Sequence, residues 1–425
     1  MIFTLVLGVV GVGLGAPAQG VPGQVRTDAV REWNDLALNA VRLTRASDSD
    51  SARVYAMLNV ALYDTVNGLA GARQRTHAVV PESGPAGADV QAAGVAAAHS
   101  VLSTLDPDRA GVYDSHLSAD LAQLRPGRPR DLGVAWGQHV GQAVVAARAD
   151  DGSRPVQIQP AGSGPGVFRA DWSGVQFGQA RPFAVADAGV FVPGPPPALD
   201  SLDYAAALAD VSVVGNAALP DPAKLATFQF WSLPAGSVQP PGEWVKIALE
   251  VSDARTLPLD DSTRLLALLS MALFDTAIVT TRTKSTYRHW RPATAIQEAD
   301  TDGNPLTQAD PGWAPRAGAV GGTPEYVSGH SSFSAAGATV LAGFFCSDHI
   351  SFTHATDTAP GNVARTYPSF TAAAAEAGRS RVFGGQHFEF SNQAGLTIGR
   401  GVAAEVLTTH LLHRSGPTHL GDCPL

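Results

Sequence analysis

Lysine is almost missing from this chain: it occurs only at Lys224, Lys246 and Lys284, and arginine supplies nearly all the other positive charge. Charged residues of any kind make up only 16% of the chain, and the formal net charge is -9. Nucleic acid or an anionic membrane is therefore excluded as a bulk partner, since neither is bound without a basic surface. Any local gathering of cations then needs a local reason. Cysteine is equally sparse, with Cys346 and Cys423 alone. Two lone cysteines are a poor metal site, but in an exported protein they can form one disulfide tying the C-terminal tail to the helix after His330. Alternating strand patterns are nearly absent. Beyond an N-terminal leader, no apolar run reaches the ~18 residues needed to cross a bilayer, which predicts a soluble mature chain with no membrane span.

What is present is enough to build a sizeable core: 425 residues, 45% of them hydrophobic. The stretch from Ile2 to Gly15 is apolar and glycine-rich and ends in Ala16-Pro17-Ala18, a small-x-small site of the kind signal peptidase accepts. This predicts a signal peptide over 1–18 and a secreted protein. Thr27 to Arg45 places Val30, Trp33, Leu36, Leu38, Val41 and Leu43 near helical spacing, and alanine-rich helical runs follow at 89–105, 132–149, 204–216 and 371–377. The glycines and prolines between Asp151 and Pro197 read as a long irregular connection.

The two sides of that connection look alike. Arg53, Ala56, Leu58, Ala61, Leu62, Tyr63, Asp64 and Thr65 recur at a constant shift of 211 as Arg264, Ala267, Leu269, Ala272, Leu273, Phe274, Asp275 and Thr276. The expected architecture is all-α. It comprises two helix bundles related by duplication, the first over about 26–150, a connection over about 151–198, and the second over about 199–425, within a domain spanning 19–425.

Only the second half carries charged clusters. Lys284 is followed seven positions later by Arg291-Pro292; Pro292 opens a helix, with Tyr287, Arg288, His289 and Trp290 expected in the loop before it. Ser328-Gly329-His330 precedes a helix expected over Ser331–Phe345, with Phe333, Val340, Leu341 and Phe344 buried. The tripeptide thus falls at a helix N-terminus, where free amides favour an anion. Gly329 allows close backbone approach, Ser328 supplies a hydroxyl, and His330 can exchange a proton near neutral pH. Arg381 and His387 flank Val382-Phe383-Gly384-Gly385-Gln386, where paired glycines end one helix before another expected around 392–412. Three cations, a hydroxyl, an amide and two imidazoles are what is needed to hold a tetrahedral oxyanion and react at its centre.

In this order and spacing the clusters resemble the signature of the vanadium-dependent haloperoxidases and the related acid phosphatases. The strings TKSTYRHWRPATAI, TPEYVSGHSSFSAAG and SRVFGGQHFEFSNQAG, with AMLNVALYDTVNG near the N-terminus, are similar to bacterial vanadium haloperoxidases in particular. The resemblance implies two four-helix bundles and a vanadate cofactor, with no organic cofactor. It makes His387 the residue bonded to vanadium, and Lys284, Arg291, Arg381, the Ser328 hydroxyl and the Gly329 amide the holders of the oxygens. His330 would be the acid/base, and Lys284 would also polarise bound peroxide. The implied partners are hydrogen peroxide and halide, with a small organic acceptor as a further candidate. The competing reading is a phosphatase using the same residues, with His387 as nucleophile and His330 protonating the leaving oxygen.

Two positions depart from the family pattern. Val327 stands where proline commonly precedes Ser-Gly-His, and Ser391 stands where an Asp commonly follows the metal-bonded histidine by four. A missing carboxylate leaves the orientation of His387 to Asn392 or a distant Asp. Elsewhere, Asp300-Thr301-Asp302-Gly303-Asn304 starts like a calcium loop but has Pro311 where a closing glutamate belongs, so it reads as a turn. His139 and His349 lack partners at ligand spacing and read as structural or surface residues.

Overall fold

A computed structural model of the chain describes residues 28–71 and 74–412. The signal peptide expected over 1–18 and Cys423, hence its expected pairing with Cys346, lie outside the described residues. Among these residues thirteen α-helices follow one another: α1 Asp28–Thr44, α2 Asp48–Leu69, α3 Val90–Leu105, α4 Ala110–Gln123, α5 Arg128–Ala147, α6 Leu202–Val214, α7 Pro222–Phe230, α8 Gln239–Ala254, α9 Leu259–Tyr287, α10 Pro292–Gln297, α11 Gly329–Phe344, α12 Phe370–Phe383 and α13 Glu389–Thr409. The strands among the described residues form two antiparallel pairs, β1 Ile158–Gln159 with β2 Trp172–Ser173 and β3 Phe352–His354 with β4 Arg365–Tyr367. The chain is all-α, as its patterning predicts.

Side-chain caps set several starts. Ser47 accepts from the Asp50 amide before α2, Asp89 from the Gln91 and Ala92 amides before α3, and Ser328 from the Ser331 amide before α11. Some boundaries and faces differ from expectation. α9 runs on through Tyr287, α11 starts two residues early at Gly329, and α13 starts at Glu389. Leu43 is 59% exposed, because it lies off the stripe of α1 that faces the core, and Phe344 is only half-buried at the end of α11.

Contrary to the sequence expectation, α9 is long and apolar enough, by length and composition alone, to cross a membrane. Its apolar window is wholly buried inside the protein. Its apolarity is that of a helix surrounded by core on all sides. One continuous hydrophobic cluster runs from Val30 to Leu411 around it. α2 and α9 pack on each other and meet at matching positions: Asn59 Nδ2 donates to Ser270 Oγ at 3.0 Å, across the same separation of 211. The matched Asp64 and Asp275 also do the same job. Each accepts three consecutive backbone amides, Ala78, Val79 and Val80 for one and Phe183, Ala184 and Val185 for the other, at 2.7–2.9 Å. The connection read as irregular is therefore irregular in shape but pinned by a buried carboxylate, that of Asp275.

Close helix pairs flank this centre. On α5 a Cβ added to Gly137 would lie 2.0 Å from Ala93 O of α3; on α13 one added to Gly399 would lie 2.1 Å from Ser332 O of α11. Helices with glycine at such contacts approach closely enough to fix their relative position.

A buried charge cluster fastens the β3–β4 hairpin to α8. His354 is fully buried and its Nε2 and Nδ1 lie 2.7 Å from Glu243 Oε1 and Glu250 Oε2. Burial alone would strip its proton, but the two carboxylates outweigh this and raise its pKa above the ordinary histidine value. A histidine whose folded pKa is raised stabilises the fold fully below its unfolded pKa, and that contribution is lost as pH rises through the folded value. His354→Gln is thus expected to lower Tm at pH 6, by an amount reflecting about 3–5 kcal/mol for breaking a buried pair. The deficit should shrink as pH rises. Melting curves of both proteins across pH 5–10 check this; a deficit independent of pH would contradict it.

Candidate active site

Local structure explains where each site residue points. Lys284 lies in the last turn of α9, and the left-handed Arg288 (φ 50°) turns the chain away. Arg291 is extended (ψ 155°), as a residue before proline must be, so its side chain leaves the chain just ahead of α10. Ser328 caps α11 and Gly329 is its first residue. Arg381 is in the last turn of α12, and Gly384-Gly385 reverse the chain so that His387 comes just before α13. Gly385 is required there: φ is +72° and an added Cβ would lie 2.7 Å from Gly215 O.

These turns bring all seven predicted residues to one place. Arg291 Nη1 is 3.0 Å from His387 Nε2 and 2.7 Å from Gln386 O. Arg381 Nη2 donates to Gln386 Oε1, so the two guanidiniums share one glutamine. Lys284 Nζ donates to Pro324 O and, at 3.4 Å, to Glu325 O, in the strand of loop that leads into Ser328. The Ser328 amide donates to Ser391 O at 3.3 Å, tying α11 to the first turn of α13. His330 Nε2 lies 3.0 Å from Ser232 O, and the preceding carbonyl, Trp231 O, accepts from Arg381 Nη1 at 3.3 Å. Because a carbonyl only accepts, His330 carries its proton on Nε2 and a lone pair on Nδ1.

The electrostatics are those of an anion site without surplus negative charge. Burial, with Arg291 adding repulsion, pushes the Lys284 ammonium well below its ordinary pKa. Burial brings Arg291 down to about 10, against the pull of Glu325, and Arg381 down to about 9 with Arg291 adding to the effect. His330 and His387 are held well below the usual histidine range, again by burial first and by the arginines second. Every cationic form here would be relieved by a bound oxyanion. The donor set fits vanadate or phosphate: Arg381 Nε is buried with no hydrogen-bond partner among the described residues, and α11 offers its N-terminal amides. Gly321 (φ +103°) lies flat against the Arg291 guanidinium, 2.7 Å from an added Cβ to Cζ. That contact leaves no room for another residue type.

Glu325 is the functional residue that the sequence did not point to. Its Oε1 accepts hydrogen bonds from His387 Nδ1 at 2.9 Å and from the Phe388 amide at 3.0 Å, while Oε2 lies 3.5 Å from His289 Nδ1. Burial would raise this carboxyl, but the two imidazoles overcome it and hold it well below the carboxylate range. Its ionised form fixes the proton on Nδ1, so that the Nε2 lone pair, which accepts from Arg291 Nη1 at 3.0 Å, is the one an electrophile would compete for. The expectation that Asn392 or an Asp would replace the missing carboxylate is thereby corrected. Asn392 Oδ1 instead accepts from Ser331 Oγ at 2.8 Å, and Ser391 Oγ stays 3.4 Å from Nδ1 as a minor contact. The only signal was the glutamate's place in TPEYVSGH, three residues before Ser328.

The other candidates stay outside the site. Asp302 spends its carboxylate on the Asn304 amide and the Thr307 hydroxyl, which makes the calcium-like segment a turn. His139 and His349 are exposed, the first lying on Trp136 with ring centroids 5.5 Å apart.

Residues 264–416, which contain all seven predicted residues and Glu325, match the model of the VCPO second helical-bundle domain. In fold the whole chain is similar to the first bacterial vanadium-dependent iodoperoxidase of known crystal structure. The TM-score is 0.78 at 23% identity over 94% of this chain and 100% of that one. It is also similar to the apo- and holo-type crystal structures of a bacterial vanadium-dependent chloroperoxidase. Both have TM-scores of 0.63, at 16% and 17% identity, over 84% and 85% of this chain and 92% of theirs. No curated protein matches the chain by sequence.

Proposed function

On the premise that a chain with the fold of the bacterial vanadium-dependent haloperoxidases carries its reaction centre at these converging residues, we propose that it is a vanadate-dependent haloperoxidase. It would oxidise halide with hydrogen peroxide to a hypohalous-acid equivalent. The observation that carries this reading is the His387 imidazole: its Nδ1 is bound to Glu325 and its Nε2 faces the buried Arg291 guanidinium, with the Lys284 ammonium near enough to act on the ring.

Vanadate bonded through His387 Nε2 would supply Lewis-acid activation of peroxide, without redox cycling of the metal. The protein's share is positional and electrostatic. Arg291, Arg381 and Lys284 neutralise the oxyanion and hold it in one orientation, and the Ser328 hydroxyl and Gly329 amide complete the shell. Lys284, its ammonium already strained by burial, polarises the peroxide. His330, with its proton fixed on Nε2 by Ser232 O, presents Nδ1 as the base for peroxide or water.

The same Nε2 lone pair would serve as a nucleophile toward phosphate, so a phosphomonoesterase is the second reading. Steady-state bromination of a diketone with peroxide and bromide, run with and without vanadate beside a phosphate-ester assay, separates the two. Vanadate-dependent bromination, with vanadate inhibiting any ester hydrolysis, is the expected result. Ester hydrolysis with no bromination at saturating vanadate would make the chain a phosphatase.

A further inference from the structure

Among the residues of the site, those that hold the oxyanion are almost fully buried, whereas His330 keeps partial exposure. One further side chain near the site comes from the other half of the chain: Asp48, in the first turn of α2, is partly exposed. Its Oδ1 accepts from the Ser49 amide at 2.8 Å. Its Oδ2 lies 3.5 Å from where a Cβ on Gly329 would stand, so it sits directly over the first residue of α11. The adjoining Ser49 Oγ is 3.5 Å from Thr281 Oγ1, one turn before Lys284 on the same face of α9. Asp48 thus lies against Gly329 and close enough to the Lys284 ammonium for the two charges to act on each other.

We propose that Asp48 is a second acid–base residue of the reaction, set beside Gly329 and Lys284, and that the first half of the chain completes the site by supplying it. This rests on the haloperoxidase reading. The Asp48 carboxylate takes one proton from hydrogen peroxide as it enters. The halide then gives an electron pair to the outer peroxide oxygen; the O–O bond breaks and the O–X bond forms. Asp48 returns its proton to the oxygen that leaves with the halogen, and a second proton from solvent completes water at the other. The balance is peroxide, halide and one proton giving hypohalous acid and water, with two electrons passing from halide to peroxide.

The surroundings suit that role. Burial raises the carboxyl, while Lys284 and the Ser49 amide pull it back down and Asp50 on the same helix adds repulsion. Such opposing influences keep a carboxyl able to exchange protons nearer neutral pH. The charged groups that act on it are Lys284 from α9 and Asp50 from α2; α11 brings Gly329 against it, with the titratable His330 as the next residue of that helix.

The test compares Asp48→Asn with Asp50→Asn, which removes the other first-turn acid of α2, whose oxygens are bonded to Ser47 and Arg154 away from the site. Calorimetric titration with vanadate needs no turnover. Asp48→Asn is expected to bind vanadate about fivefold more tightly, because a like charge is removed beside the site. At saturating vanadate its kcat for halide oxidation should fall about 100-fold, with loss of one limb of the pH profile, and Asp48→Glu should recover part of it. Asp50→Asn should leave vanadate affinity and maximal kcat unchanged and, by removing its repulsion of Asp48, move only that limb of the pH profile to lower pH. Wild-type kcat in Asp48→Asn with vanadate bound would overturn the proposal alone. Weaker vanadate binding in that variant would reduce Asp48 to a structural part and also overturn it. Wild-type protein that binds vanadate yet oxidises no halide would instead bring down the haloperoxidase reading, and this role with it.

Discussion

Replacing Glu325 with glutamine is expected to weaken vanadate binding by about 10- to 100-fold, the usual loss when the partner of a metal-bonded histidine is removed. Glutamine keeps the volume and can still accept from the Phe388 amide and His387 Nδ1, contacts now at 3.0 and 2.9 Å. It loses the charge that makes Nε2 a strong donor. Glu325→Ala removes both. It leaves the Nδ1 proton and the Phe388 amide without a partner in a fully buried place, so Tm should drop as well, by an amount reflecting roughly 3–5 kcal/mol. The pair of variants separates basicity from geometry. Vanadate affinity and melting temperature are the two readouts. Glutamine and alanine giving the same wild-type affinity would remove Glu325 from the site.

The second large effect concerns distance between helices. Gly395 and Gly399 of α13 bear on α11: an added Cβ would meet Ser328 O at 2.7 Å and Ser332 O at 2.1 Å. One helix carries the serine and the amide, the other follows His387 directly, so their spacing is the spacing of the site. Gly399→Val is expected to force them apart and cost at least the ~1–3 kcal/mol typical of overpacking. It should also weaken vanadate binding more than its loss of stability alone explains. Gly111→Ala is the control: it lies in α4 with nothing within 4 Å of an added Cβ. It should stabilise by roughly 0.5–1 kcal/mol and leave the site unchanged. Denaturant unfolding and vanadate titration of both variants test this; unchanged affinity in a folded Gly399→Val protein would show that helix spacing does not set the site.

How far the sequence could be read follows from how each residue acts. Lys284, Arg291, Ser328, His330, Arg381 and His387 were readable because each sits at a helix end marked by proline, glycine or a capping serine, so local chemistry tells where its side chain goes. Glu325 was not. Its contact with His387 spans a separation of 62 residues, and a lone glutamate in a loop carries no mark of its partner. Asp48 was hidden for another reason: Ser47, Asp48 and Asp50 read fully as the start of a helix, and nothing is left over to suggest a second role. The all-α fold was readable from alanine-rich runs and missing strand alternation. The centrality of α9 was not, because a helix buried on every side has no polar face to display its orientation. Matched positions such as Asp64 and Asp275 could be aligned in sequence, but that each would gather three amides could be learned only from the packed structure.

The central claim is that separate turns of this chain form one oxyanion-binding centre whose covalent anchor is His387. Titration of the purified protein with vanadate, followed by calorimetry and repeated with His387→Ala, tests it most directly. The account predicts one vanadate bound per chain, displaced by phosphate, with binding lost in the variant while its melting curve remains cooperative. Equal vanadate binding by a folded His387→Ala protein, or no binding by the wild type, would contradict it.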